Sequence, residues 1–227
     1  MRTIMVKIKK RERNAIIQSL LAGVVPRIGL QHIQVGRKDE ITAILTDLEH
    51  IRDEGASIRF IIGQYGSGKS FFLNLSRQVA LEKHFVVVQA DITPDRRLYA
   101  TGGQARALYA ELMHNMTTRA KPESGALASV VERWVSDLDY QLRQEGKGDD
   151  EIVHAITQEL QPLQDLVRGY DFANVIGRYY EGFQHGDDAL ISSLLRWLSG
   201  QYETKTEARH DLGVRTIVDD KNIYDYL

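Results

Sequence analysis

The chain has 227 residues, 43% of them hydrophobic and 26% charged, with a formal net charge of −2. That length suffices for one sizeable core, or one core with a helical subdomain, and the near-neutral balance excludes a global basic field that would draw the chain to nucleic acid. The absence of cysteine excludes disulfides, thiolate metal sites and a cysteine nucleophile, which suits a reducing cytoplasm, and no apolar run reaches the length of a membrane span.

Residues 1–35 read as a basic arm and a helix. Between Arg2 and Arg13 there are six cations against the single Glu12, a density that suits a solvated helix start ahead of contact with a phosphate backbone or an acidic partner. Glu12 within the basic region, Gln18-Ser19 within the apolar run and the lack of a small-x-small site argue against a secretory leader. Ile16, Ile17, Leu20 and Leu21 share one helical face, and Pro26 is expected to end that helix. Next, Val35-Gly36-Arg37 precedes a helix expected from about Lys38, with Ile41, Ile44, Leu45, Leu48 and Ile51 as its stripe. A Gly-Arg pair is by itself a turn signal.

Residues 36–102 carry the most specific pattern. Ile58-Arg59-Phe60-Ile61-Ile62 has strand composition. Gly63-Gln64-Tyr65-Gly66-Ser67-Gly68-Lys69-Ser70 follows, and it fits G-x-x-x-x-G-K-[ST], the phosphate-binding or Walker A loop. Phe71 then opens a helix expected over 69–83. Gly63, Gly66 and Gly68 permit backbone angles that aim successive N–H groups at one anion. The helix N-terminus adds positive potential. Lys69 supplies a full charge for the β- and γ-phosphates, and the Ser70 hydroxyl is placed to ligate Mg²⁺. The pattern therefore assigns nucleotide contacts to Gly63, Gln64, Tyr65, Gly66, Ser67, Gly68, Lys69, Ser70 and Phe71, with ATP and Mg²⁺ as cofactors. A second, continuously apolar strand is expected over Phe85-Val86-Val87-Val88-Gln89-Ala90. Asp91 at its end is a candidate carboxylate, although Thr93-Pro94-Asp95 favours a turn there; Arg96 and Arg97 read as a solvated pair. Strand, loop, helix and buried strand together predict an α/β fold, a P-loop NTPase core with a parallel sheet that is incomplete and carries a large helical insertion.

That insertion is residues 103–201, where helical stripes succeed one another without a strand pattern. They run through Leu108, Leu112 and Met116; through Leu127, Val130, Val131, Trp134, Leu138 and Leu142; through Ile152, Ile156, Leu160 and Leu163, broken near Pro162; through Phe172, Val175, Ile176, Tyr179, Tyr180 and Phe183; and through Leu190, Ile191, Leu194, Leu195 and Leu198. Trp134, Tyr179, Tyr180 and Trp197 are expected in the core. The seven histidines show no pair at metal-ligand spacing. Residues 202–227 read as a linker towards further core. Within it, Thr216-Ile217-Val218-Asp219-Asp220 is a weak match to the apolar strand and acid that hold Mg²⁺ in this class, so Asp219, Asp220 and Asp91 are the candidate catalytic carboxylates.

Val35-Gly36-Arg37-Lys38-Asp39-Glu40-Ile41, one helix before the loop, resembles the Gly-Arg-x-x-Glu box of AAA+ and STAND-type ATPases. Taken with Gly23 to Leu30, Phe60 to Phe72, Gln89-Ala90-Asp91, Leu98-Tyr99, Gly102-Gly103 and Leu212-Gly213-Val214-Arg215, the chain resembles the ATP-binding proteins of bacterial phage-exclusion (BREX-type) defence systems. The resemblance implies that Val35, Gly36 and Arg37 lie near the adenine. It also implies that this stretch corresponds to an N-terminal portion whose hydrolytic acid falls beyond Leu227. Other proteins of the defence system, DNA and ring-forming copies of the chain are partners by resemblance only. Two further readings stand beside it: a P-loop small-molecule kinase using Asp91 as base, and a scaffold that binds nucleotide without turnover.

Overall fold

A computed structural model describes residues 8–26, 28–99, 102, 104–160 and 170–219. It divides into two compact units, Met1–Val87 and Val88–Leu227. The first contains helices α1 (Lys10–Leu21), α2 (Lys38–Arg52) and α3 (Lys69–Glu82), with a 3-10 turn at Leu30–His32. The second contains α4 (Gln104–His114), α5 (Leu127–Gln144), α6 (Asp149–Glu159), α7 (Tyr170–His185), α8 (Asp188–Leu198) and α9 (Lys205–Leu212).

In the first unit, α2 and the 3-10 turn both pack on α3. Leu30, Phe72, Leu75 and Leu81 are buried, and Ile16 of α1 is buried as well. The amphipathic reading of α1 is only partly right, because Ile17, Leu20 and Leu21 of its stripe are exposed. The helix also stops earlier than Pro26. Gly23 adopts a left-handed φ of 69°, and Val24 N–H closes back on the Ser19 carbonyl at 3.0 Å, a glycine stop that satisfies the last carbonyls before proline is reached.

The expected parallel sheet is not present, and the α/β class is corrected to a helical fold. Among the described residues no strand ladder forms. Residues 58–62 belong to no helix or strand; they make no backbone hydrogen bond among the described residues, and Ile58, Phe60 and Ile62 are 85%, 85% and 93% exposed. β-Branched composition favours extended backbone. A strand exists only when a second segment takes up its N–H and C=O groups, and no described segment does so here. The second expected strand, 85–90, spans the division between the two units. It begins where His84 turns left-handed at φ 67° and Phe85 N–H caps the Ala80 carbonyl at 3.0 Å.

The core of the second unit follows the helical stripes, with one shift. Val135 on α5 is fully buried, whereas its neighbour Trp134 is 38% exposed, so the inward face is rotated by one position from the one the aromatic suggested. Ile152 and Ile156 of α6, Tyr179 and Tyr180 of α7, and Leu194 and Trp197 of α8 complete one continuous core. Between α5 and α7, Tyr180 Oη donates to Asp139 at 2.7 Å while Arg143 pairs with the same carboxylate at 2.9 Å. Burial and that carboxylate push the Tyr180 phenol up to about 12. Residues 202–219 contribute Tyr202, Leu212, Val214 and Ile217 to this core. A buried carboxylate fixes the last of them. Asp171, in the first turn of α7, accepts from Arg215 N, Thr216 N and Thr216 Oγ1 at 2.9, 2.7 and 2.7 Å through a single oxygen, and Trp197 Nε1 donates to the Thr216 carbonyl at 2.8 Å. Pro162, Leu163, Arg27, Gly103 and residues 220–227 lie outside the described residues.

Candidate functional site

The glycine loop links residues 58–62 to α3, all within the first unit. Gly66 and Gly68 have φ of 80° and 82°, the left-handed region that a side chain disfavours. Gly68 is the N-cap of α3 and contributes no side-chain cap. The backbone N–H groups of Lys69, Ser70 and Phe71, the first three of the helix, therefore have no partner among the described residues and lie at its positive end. At Gly63 a Cβ would stand 2.5 Å from Ser67 Oγ, so a side chain there would have to displace the serine hydroxyl. Ser67 N–H reaches the Gln64 carbonyl at 3.2 Å, which bends the loop back on itself.

Lys69 closes the loop. Its ammonium donates to the Gly63 and Gln64 carbonyls, both at 2.8 Å. These contacts draw the entrance of the loop towards the start of α3 and leave one of the three ammonium N–H donors for a ligand. Ser70 and Tyr65 are exposed. Among the described residues, no group of histidine and carboxylate side chains is arranged to hold a metal ion. A Mg²⁺ here could take the Ser70 hydroxyl as a protein ligand, with phosphate oxygens and water completing its shell.

The structure brings Arg37 to this loop. Its Nη2 donates to the Ser67 carbonyl at 2.8 Å, and its guanidinium carbon lies 5.5 Å from the centre of the Phe72 ring. Val35 and Gly36, immediately before it, are exposed. At the other end of α2, Arg52 Nη2 reaches the Lys83 carbonyl at 3.2 Å, just beyond α3, and lies over Phe85 at 5.9 Å. In the middle of α2, Asp47 pairs with Arg59, just before the loop, at 2.6 Å. That hydrogen bond holds the Asp47 carboxyl below its usual range. Sequence reasoning missed all three contacts. Arg37 and Ser67 are 30 positions apart, and no local spacing rule connects them.

Two of the candidate carboxylates, Asp91 and Asp219, belong to the second unit. Asp91 belongs to the second unit and is exposed, just before the turn in which Thr93 and Arg96 exchange backbone hydrogen bonds of 3.2 and 3.0 Å. Arg96 pairs with Glu111 at 2.9 Å. Asp219, also in the second unit, lies 3.9 Å from the Lys205 ammonium. Asp220 lies outside the described residues. No helix among the described residues is long and apolar enough to cross a membrane.

Comparison with curated proteins finds no match, and neither does comparison with solved structures. The family model described as "BREX system ATP-binding protein BrxC/D" matches residues 8–227. The chain therefore belongs to the BREX system ATP-binding protein BrxC/D family, which gives it an ATP-binding role in BREX defence.

Proposed function

We propose that the loop from Gly63 to Ser70 and the first turn of α3 hold the phosphates of ATP together with Mg²⁺. The observation that carries this reading is the Lys69 closure. An ammonium held by two loop carbonyls at 2.8 Å, beside three helix N–H groups without partners among the described residues, is a concave donor set for a polyanion. Family membership supplies ATP as the polyanion. Ser70 is the Mg²⁺ ligand in this reading, and Val35 and Gly36 offer an exposed backbone and apolar side chain to the base. The nucleotide state of the first unit then signals to other proteins of the defence system. Asp219 is a structural residue in this reading, because it follows a segment pinned by Asp171 and Trp197 and has Lys205 beside it.

Calorimetric titration tests the reading. ATP and ADP are expected to bind in the presence of Mg²⁺, and chelation of the metal is expected to weaken ATP. Ser70→Ala should reduce that metal dependence while leaving the metal-free affinity nearly unchanged, because only the hydroxyl ligand is removed. Equal metal dependence in the parent and Ser70→Ala would remove Ser70 from the metal site. No binding of ATP by the parent would overturn the reading.

A further inference from the structure

We infer that Arg37 is a positioning residue for the glycine loop, which it sets in its phosphate-binding shape from α2, and that it does not read the base. The inference rests on the proposed ATP site and deepens it. Three observations carry it. Arg37 Nη2 donates to the Ser67 carbonyl at 2.8 Å, the peptide unit whose other end is the left-handed Gly68 at the start of α3. The guanidinium is also held over Phe72, which is 3% exposed, at 5.5 Å from the ring centre, so its direction is set by the core of the first unit. The third observation concerns space at Gly68, where a Cβ would meet Arg37 Nη2 at 3.1 Å.

α2 then behaves as a splint along α3. Arg37, its N-cap, grips the loop at the start of α3, and Arg52, its last residue, grips the Lys83 carbonyl at the end. A guanidinium suits this task better than an ammonium. It stays charged, its planar face lies on an aromatic ring, and its N–H groups have fixed directions. With its Nη2 committed to the Ser67 carbonyl, Arg37 acts on a ligand through the loop: it holds the Ser67-Gly68 peptide in the orientation that turns the following N–H groups outward, and it adds positive potential beside them. An ordered loop spares the ligand the cost of ordering it.

The test compares ligands with and without a base. The parent, Arg37→Ala and Arg37→Lys are titrated with MgATP and with magnesium tripolyphosphate, which carries the phosphate chain alone. Arg37→Ala is expected to weaken both ligands by a similar factor, about tenfold, the size expected for one lost hydrogen bond to a charged group. Arg37→Lys should recover part of the loss for both, since it keeps the charge and a donor but loses the stacked plane. Weakening of MgATP with tripolyphosphate unchanged would overturn the inference and assign Arg37 to the base. Unchanged binding of both ligands would overturn it as well. A parent that binds neither ligand overturns the proposed site itself and this inference with it, an outcome distinct from the other two. Circular dichroism melting of Arg37→Ala, read alongside, separates a misfolded first unit from a mispositioned loop. If Arg37→Ala is unfolded, the titrations of folded Arg37→Lys decide, with a similar partial loss for both ligands supporting the inference and a loss confined to MgATP overturning it.

Discussion

Lys69→Ala is expected to weaken ATP binding by on the order of 10- to 100-fold, with ADP less affected. One charge-assisted hydrogen bond to phosphate accounts for about 1.5–3 kcal/mol, and tenfold in affinity corresponds to about 1.4 kcal/mol. Removing Lys69 also frees the Gly63 and Gln64 carbonyls that its ammonium holds at 2.8 Å, so the entrance of the loop is no longer drawn to α3. The buried face of α3, with Phe72, Leu75 and Leu81, does not involve Lys69, and the variant should melt within a few degrees of the parent. Lys69→Arg should rescue little, because a planar guanidinium does not offer the tetrahedral donors that serve two carbonyls and a phosphate together. Parallel calorimetry and melting of both variants decide this. An Ala variant that binds ATP as the parent does would remove Lys69 from the site.

Asp171→Ala is expected to destabilise the second unit by about 3 kcal/mol. The substitution leaves two backbone N–H groups and one hydroxyl without their acceptor, and an unsatisfied buried donor costs about 1–3 kcal/mol. Arg215 is exposed and its N–H regains water, which places the sum near the lower end. At about 2–4 °C per kcal/mol for a domain of this size, the melting temperature should fall by roughly 6–12 °C. Asp171→Asn keeps an acceptor oxygen in place and should lose about half as much. A thermal melt of the two variants checks the order. If Asp171→Ala melts with the parent, the hydrogen bonds from Thr216 do not hold the 214–218 segment.

These residues also show which parts of the molecule the sequence makes legible. The glycine loop was readable because its constraints are local. Positive φ at Gly66 and Gly68, the close approach at Gly63 and the start of α3 at Lys69 all lie within eight positions. The helical stripes of the second unit were readable for the same reason, although the aromatic Trp134 drew the inward face of α5 one residue away from Val135. The sheet was misread because a strand is defined by its partner, and the composition of 58–62 reports only a preference for extended backbone. The contacts that fix the loop in the first unit and the 214–218 segment in the second lie further apart still. Arg37 finds Ser67 across 30 positions and Asp171 finds Thr216 across 45. In each case one side chain meets backbone groups, and only Asp171 also meets a side chain, the Thr216 hydroxyl, so little in the sequence marks either pair.

Amide hydrogen–deuterium exchange tests the phosphate site most directly, with and without saturating MgATP. The N–H groups of Lys69, Ser70 and Phe71 have no partner among the described residues and should exchange quickly in the free protein. On binding, peptides covering 63–72 should slow strongly, with smaller slowing over 35–37. Slowing confined to residues 88–219, with 63–72 exchanging as fast as before, would contradict the assignment of the phosphates to this loop.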